Sequence, residues 1–185
     1  MAFSKARDII RQEQKESPES VRSDFYGYQA ELTAKMLNAS ANAIEKKIET
    51  LMYRGWEPLF SKVKLFPQVR ELLAEFRAAG LKLGLLSDFP PETKLENLGL
   101  AGLWDTVLCS ERTGALKPSV HPFIELANNL GCPPDQILYV GNSRRYDVAG
   151  SLQAGMKAAL LSRRVFPSAD LTFQHYRQLR DFVLK

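Results

Sequence analysis

The sequence predicts an α/β fold with a mainly parallel sheet, preceded by a helical segment. In residues 1–64 the apolar residues recur at helical spacing, and no convincing strand is present. From residue 65 onward, short apolar runs alternate with amphipathic helices, which is the pattern of βαβ crossover units. We therefore divide the chain into a helical segment, residues 1–64, and an α/β segment, residues 65–185.

The helices of the first segment are predicted from their apolar spacing and their capping residues. The first covers AFSKARDIIRQEQ, and Ser17–Pro18 has the form of an N-cap followed by proline at the first helical position. Ser40 or Asn42 can cap a further helix, and Gly55 suits the position just after its end.

In the second segment, strands and helices are expected to alternate. The predicted strands are LKLGLLS, DTVLCS, QILYVGN, KAALLS and a short DLTFQ. The predicted helices are QVRELLAEFRAAG, a short one at 91–98, SVHPFIELANNLG, VAGSLQAGM and HYRQLRDFVLK. Because short strands linked by helices pair in parallel, a sheet with helices on its faces is expected.

Composition and charge narrow the range of functions. The chain has 185 residues and a net charge of +4, a small excess that gives weak support to nucleic-acid binding. Its two cysteines, Cys109 and Cys132, lie in no CxxC motif, which predicts free thiols in a reducing cytoplasm. No apolar run reaches the ~18 residues of a membrane span, and the charged N-terminus is unlike a signal peptide.

The polar residues that follow the apolar runs are the candidate site. Ser87 and Asp88 follow the first run, Lys117 lies in the loop after the second, and Asn142 and Asp147 follow the third. Ligands of open parallel sheets bind at the carboxyl edge of the strands, where these residues meet. There a hydroxyl can donate to a phosphate oxygen, a lysine can neutralise its charge, and carboxylate or amide oxygens can ligate Mg²⁺.

The order of these motifs resembles that of the haloacid dehalogenase (HAD) superfamily of hydrolases. The resemblance covers about two thirds of the chain and rests on LGLLSD, on GALKPSVHPF and on ILYVGNSRRYDVAGSLQAGM. It implies a Rossmann-like three-layer core with an α-helical cap, here residues 1–64. It also implies Mg²⁺-dependent hydrolysis of a small phosphorylated metabolite through an aspartyl-phosphate.

The same resemblance implies roles for individual residues. Ser87 and Lys117 would be catalytic and bind the phosphoryl group, and Asp88 would contact the substrate. Asn142 and Asp147 would be the metal ligands. Asn142 stands where the family usually has an acid, so binding of Mg²⁺ by this chain alone is expected to be poor.

The family's nucleophile motif is missing from the sequence. The family carries D-x-D at the end of the central strand, and no D-x-D occurs in this chain. The aspartates that precede Ser87, which are Asp8 and Asp24, do not end apolar strands. We therefore expect the chain alone to be inactive or nearly so.

The strand that would carry D-x-D is also absent, and three outcomes are open for its two neighbours. The strands of LKLGLLS and ILYVG could pair directly, another segment could fill the gap, or an upstream extension could supply the strand. One of these outcomes is expected, because unpaired backbone groups within a core are costly. The last is favoured, because the chain begins in the middle of the cap with a helix face that needs a partner. An immediate in-frame stop codon upstream of Met1 would exclude it. Strand exchange between chains, and hence a homo-oligomer, is conceivable.

Two other functional classes remain as alternatives. A non-catalytic phosphate-binding or scaffold protein could keep the phosphate pocket without turnover. Residues 31–37 and 41–53 could also form a helix-turn-helix, with Lys46, Lys47 and Arg54 at DNA phosphates. Glutamates on the same surface weaken that second interpretation.

Overall fold

The computed structural model describes residues 1–18 and 20–185, and it has the α/β fold that the sequence predicts. The helices of the first segment are α1 (Ala2–Glu16), α2 (Phe25–Leu37), α3 (Ala41–Ile48) and α4 (Glu57–Phe60). A π-helical turn, Glu49–Tyr53, and a 3₁₀ turn, Arg54–Trp56, join α3 to α4. No helix within the described ranges combines the length and apolarity needed to cross a membrane.

The second segment alternates strands and helices in the expected order. Its strands are β1 (Gly84–Ser87), β2 (Thr106–Cys109), β3 (Leu138–Gly141), β4 (Lys157–Leu161) and β5 (Leu171–Phe173). Its helices are α5 (Val69–Ala78), α6 (Glu92–Asn97), α7 (Val120–Leu130), α8 (Ala149–Gln153) and α9 (Tyr176–Val183). The short π-helical turn Arg144–Val148 directly precedes α8.

The strands form two separate parallel sheets. β1 pairs with β2, and β4 lies between β3 and β5. Within the described residues, β1 and β3 do not pair and no other strand lies between them. Direct pairing and filling by another segment, two of the three outcomes considered for these strands, are therefore not observed. The facing edges of β1 and β3 have no strand partner in this part of the chain.

Helices on both faces hold the two sheets together as one three-layer unit. On one face, Phe123 of α7 packs with Leu86 of β1 and Tyr139 of β3, and the Phe123 and Tyr139 ring centroids are 4.9 Å apart. On the other face, Phe76 of α5 shares a buried cluster with Leu83, which directly precedes β1, and with Ala159 of β4. Burial of these large side chains, at roughly 1.5–3 kcal/mol each, maintains the arrangement without a central strand.

The helical segment packs on the α/β segment through both apolar and polar contacts. Ile10 and Phe25 share a buried cluster with Leu116, which lies in the loop before α7. The Gln14 side chain donates to the Gly114 carbonyl (3.2 Å) and accepts from the Leu116 amide (3.1 Å). These bonds attach α1 to the loop that carries the candidate lysine.

Two details of the predicted helix boundaries are wrong. Ser17 ends α1 instead of starting a helix, and α2 starts later, where the Asp24 side chain accepts from the Gly27 amide. Gly55 lies inside the 3₁₀ turn and not after a helix end. At Ser17 the helix starts later because Asp24 provides the N-cap instead. At Gly55 the helical turns continue through the glycine, so it does not end a helix. Ser40 caps α3, as expected.

A glycine in α8 allows the close packing of α8 on α7, and it supports a first prediction. A Cβ on Gly150 would overlap the Phe123 ring and would lie 2.9 Å from the Pro118 carbonyl oxygen. We expect Gly150→Ala to lower the free energy of unfolding by about 1–3 kcal/mol, because overpacking forces side chains and backbone to shift. Urea unfolding measures this loss. Gly55→Ala, whose Cβ would meet only the Thr50 carbonyl at 3.3 Å, is the matched control; an equal effect in both variants would contradict the prediction.

Candidate active site

Ser87 is the last residue of β1, and its hydroxyl donates to no residue that the structure describes. Its Oγ accepts a hydrogen bond from the Phe89 amide at 3.2 Å. Because the oxygen acts as the acceptor in this turn, the hydroxyl proton can be donated to another group, such as a phosphate oxygen. Ser87 also lines a cavity below the helical segment.

Asp88 is held by protein donors on both oxygens of its carboxylate. Oδ1 accepts from the Ser110 hydroxyl (2.7 Å) and from the Lys117 amide (3.2 Å). Oδ2 accepts from the guanidinium of Arg11 at 3.0 Å. These contacts join the loops after β1 and β2 to helix α1. In this structure the carboxylate that was predicted to contact substrate connects three segments of the protein.

Lys117 and Asp147 form a buried ion pair. Lys117 Nζ lies 2.7 Å from Asp147 Oδ1 and 3.3 Å from the Tyr139 hydroxyl, and the two side chains are 12% and 8% exposed. Burial opposes the charge on the lysine, but the oxygens of Tyr139, Asp147 and Asp88 raise the pKa of Lys117 above its ordinary value. The ammonium therefore stays charged at neutral pH.

The remaining oxygen of Asp147 is held by the backbone after β3. Asp147 Oδ2 accepts from the amides of Asn142 (3.1 Å) and Ser143 (3.0 Å). Gly141 makes this approach possible, because a Cβ there would lie 2.6 Å from Asp147 Oδ2. Any larger residue at position 141 would therefore collide with the Asp147 side chain. Asn142 itself is exposed, and its contribution to these contacts is its backbone N–H.

The residues present do not fit Mg²⁺ by themselves. Magnesium prefers carboxylate oxygens and water in octahedral geometry. The one carboxylate of the predicted pair, Asp147, is already bonded to an ammonium and to two amides. Over the residues that the structure describes, no cluster of three or more His, Cys, Asp or Glu could hold a metal. A magnesium site at this edge would therefore need further carboxylates.

The structure brings most of the predicted residues to one edge, at the opening between the two sheets. Lys117 and Asp147 are in direct contact, and Asp88 is bonded to the Lys117 backbone. Tyr139 reaches from β3 toward β1, where its hydroxyl lies 3.5 Å from the Leu86 carbonyl oxygen. Ser87 lies at the end of the neighbouring strand, on the wall of the cavity.

Sequence reasoning missed the polar residues that connect α1 to this edge. Arg7 forms a buried ion pair with Glu111, and the Tyr53 hydroxyl donates to the same carboxylate at 3.0 Å. A signal for Arg7 was present, because it follows Phe3 by four residues and precedes Ile10 by three. That spacing places the arginine on the buried face of α1.

Glu111 is the most deeply buried acid of this network. It is 1% exposed, and its Oε2 atom has no hydrogen-bond partner within the described residues. Burial raises the pKa of Glu111 to about 7, while the charge of Arg7 and the bonds from Arg7 and Tyr53 limit the rise. The carboxyl group therefore changes its protonation near neutral pH.

Comparison with known proteins agrees with the motif pattern and with the fold. The model of the family "Haloacid dehalogenase-like hydrolase" matches residues 3–161. A glyceraldehyde 3-phosphate phosphatase of Methanothermobacter thermautotrophicus is 31% identical over 106 residues, covering 56% of this chain and 47% of the relative. A phosphoglycolate phosphatase of Escherichia coli is 34% identical over 94 residues, covering 49% and 37%.

Solved structures of the same fold superpose on most of the chain. A HAD phosphatase from Thermococcus onnurineus matches with a TM-score of 0.65 and 23% identity, over 86% of this chain and 88% of the other. An L-2-haloacid dehalogenase from Xanthobacter autotrophicus matches with a TM-score of 0.65 and 17% identity, over 99% and 84%. At these identities the likeness concerns the fold.

The fold and the motif order are those of an α/β protein of the HAD type. Because the family model matches most of its length, the chain belongs to the haloacid dehalogenase-like hydrolases. It spans about half the length, or less, of the curated phosphatases that it matches.

Proposed function

We propose that this chain provides most of the active site of a HAD-type phosphomonoesterase and that it needs an added strand to become active. The observation that carries the proposal is the opening between β1 and β3, which have no strand partner there. Ser87, Lys117 and Asp147 lie at one end of that opening. A parallel strand placed between β1 and β3 would bring a carboxylate at its carboxyl end to these residues.

Once the added strand provides the nucleophile, Ser87 and Lys117 can bind and stabilise the phosphoryl group during its transfer. A carboxylate oxygen on the added strand would attack phosphorus, the alcohol would leave, and water would then hydrolyse the aspartyl-phosphate. Lys117, held charged by its surroundings, would stabilise the negative charge of the transferring group. The free hydroxyl proton of Ser87 would be donated to a phosphoryl oxygen.

The proposal includes Mg²⁺ only together with the added carboxylates. Asp147 is neutralised by Lys117, and Asn142 brings no charge, so these two residues alone form a poor magnesium site. We propose residues 1–64 as the cap that covers the site, and a small phosphorylated metabolite as the substrate. The phosphatase names of the curated relatives support this substrate class.

An N-terminal fusion tests the proposal and gives the next prediction. The 185-residue chain should show no phosphatase activity above background. A fusion that adds an apolar strand ending in D-x-D, joined by a flexible linker, should hydrolyse p-nitrophenyl phosphate when Mg²⁺ is present. The linker keeps the strand at a high effective concentration near the opening.

Matched variants of the fusion separate catalysis from simple stabilisation. The same fusion ending in N-x-N should fold equally well and stay inactive, and Lys117→Ala in the D-x-D fusion should abolish turnover. Activity of the unfused chain, removed by Lys117→Ala, would contradict the need for a strand. An inactive but folded D-x-D fusion would contradict the proposed site.

A non-catalytic phosphate-binding protein remains the second candidate. One observation favours it: the edge of the sheet carries Lys117 and Ser87, which suit phosphate, but the sequence has no D-x-D nucleophile. Thermal stabilisation by inorganic phosphate, with no turnover in either fusion, would support it. Size-exclusion chromatography would show whether strand exchange makes the chain a homo-oligomer.

A further inference from the structure

A cavity of about 550 Å³ lies between the helical segment and the loop that follows β1. The π-helical turn and α4 form one side of it, and residues around Phe89 form the other. Ser87 lies on its wall, so the cavity adjoins the phosphate edge. Cavities of this size are typical of sites that enclose a drug-sized ligand, and a molecule as small as phosphoglycolate would fill only part of it.

Five of the residues that line the cavity are aromatic, and two of them, Trp56 and Phe89, are exposed. Tyr53 and Phe89 pack edge to face with ring centroids 6.1 Å apart, and Tyr26 continues this row at 5.9 Å from Tyr53. Trp56 is 52% exposed, and Phe89 is 40% exposed. Large aromatic groups gain free energy when they are covered, so these open faces are suited to a flat ring.

Among the charged residues that line the cavity, Glu57 and Lys94 form no ion pair with any residue that the structure describes. Arg54 is paired with Glu49 at 2.9 Å, and Arg112 is paired with Glu92 outside the cavity. The ammonium of Lys94, on α6, is therefore available to an anionic ligand, and Ser87 lines the same cavity.

We propose that this cavity binds the organic part of a phosphomonoester and that this part carries a flat aromatic ring system. The ring would lie between Trp56 and Phe89, with the phosphate directed toward Ser87. This inference rests on the proposed function, since it names the substrate class of that site. It selects ring-bearing phosphates over the smallest phosphorylated acids.

Binding to the complete 185-residue chain tests the inference without any need for turnover. Isothermal titration calorimetry with 1-naphthyl phosphate, 1-naphthol and 2-phosphoglycolate compares the contributions of ring and phosphate. We expect 1-naphthyl phosphate to bind about tenfold more tightly than either other compound. The stacked ring accounts for the ratio to 2-phosphoglycolate, and the charged hydrogen bonds of the phosphate account for the ratio to 1-naphthol.

Variants on the cavity wall locate the ring. Trp56→Ala should weaken binding of 1-naphthyl phosphate about fivefold to tenfold, while Trp56→Phe should restore most of it. Leu59→Ala is the matched control, because Leu59 is 45% exposed on α4 and does not line the cavity. Ser87→Ala should weaken binding of the phosphate ester and leave binding of 1-naphthol unchanged.

Three results would overturn the inference. They are equal binding of 1-naphthyl phosphate and 2-phosphoglycolate, an effect of Trp56→Ala no larger than that of Leu59→Ala, and no binding of 1-naphthyl phosphate at all. None of these depends on the fusion experiment. A D-x-D fusion active on p-nitrophenyl phosphate would then leave the proposed function standing with a different substrate class.

Discussion

Replacing Asp147 with alanine is expected to lower the free energy of unfolding by about 3–5 kcal/mol. The substitution leaves the charged and buried Lys117 without its partner at 2.7 Å. It also removes the acceptor of the partly buried Asn142 and Ser143 amides, which adds to the loss. Urea unfolding monitored by circular dichroism measures the loss.

The control for this prediction is an aspartate without such contacts. Asp135 is exposed and forms no ion pair with the described residues, so Asp135→Ala should change stability by less than about 0.5 kcal/mol. A loss in Asp147→Ala no larger than in Asp135→Ala would show that the ion pair does not form in solution. The double variant Lys117→Met, Asp147→Leu should recover much of the loss, because an apolar pair of similar size needs no desolvated charge.

The pH dependence of this pair has a definite sign. The pKa of Lys117 is raised in the folded protein, so its contribution is complete below the ordinary lysine pKa of about 10.4. That contribution is lost only as the pH rises through the higher value of the folded state. The difference between the wild-type chain and Lys117→Met should therefore stay constant in the neutral range and shrink only in strong alkali.

Replacing Glu111 with glutamine is expected to remove a pH-dependent loss of stability near neutrality. The pKa of Glu111 is raised to about 7 in the folded chain by burial, against about 4.3 for a glutamate in an unfolded chain. The folded state therefore holds the proton more tightly. The wild-type chain should lose stability as the pH rises from about 4.3 to about 7, and the loss should then level off.

The expected size of this effect is on the order of 4 kcal/mol, since each pKa unit corresponds to about 1.4 kcal/mol. Arg7, Tyr53 and Asp88 face Glu111 from the surrounding elements, and glutamine keeps an acceptor for Arg7 and Tyr53. Urea unfolding at several pH values between 4 and about 8 should show a slope in the wild-type chain that Glu111→Gln lacks.

An exposed glutamate is the control for this titration. Glu96→Gln, on the solvent side of α6, should give a pH profile parallel to that of the wild-type chain. If the profile of Glu111→Gln is also parallel, the carboxyl group keeps its ordinary pKa in solution. The ion pair with Arg7 would then outweigh the cost of burial.

Much of the fold could be predicted from the sequence because its signals are local. Apolar spacing identified α1, α5 and α7, and the glycine at 131 ends α7 in the left-handed conformation that favours this residue. The strands were found from short apolar runs, although the structure shortens every one of them, the first to four residues. The start of α2 was predicted wrongly, because proline and serine near residue 17 gave a capping signal that the nearby Asp24 overrides.

The candidate site was predicted in part. Ser87, Lys117 and Asp147 follow or lie between apolar runs, so the rule for parallel sheets placed them at one edge. Arg7 and Glu111 could not be paired from the sequence, because 104 residues separate them and only the docking of α1 on the α/β segment brings them together. The ion pair between Lys117 and Asp147 could not be predicted either, because 30 residues separate the two and only the folded chain brings them into contact.

The sequence by itself determined the order of helices and strands, the family resemblance and the absence of a D-x-D nucleophile. Each of these depends on residue types at short spacing, where local sterics and amphipathicity decide the outcome. Only the tertiary structure showed that β1 and β3 stay apart and that the lysine of the site is neutralised by Asp147. Helices packed across both sheets make this possible, because burial of their apolar faces holds the layers together around an unpaired opening.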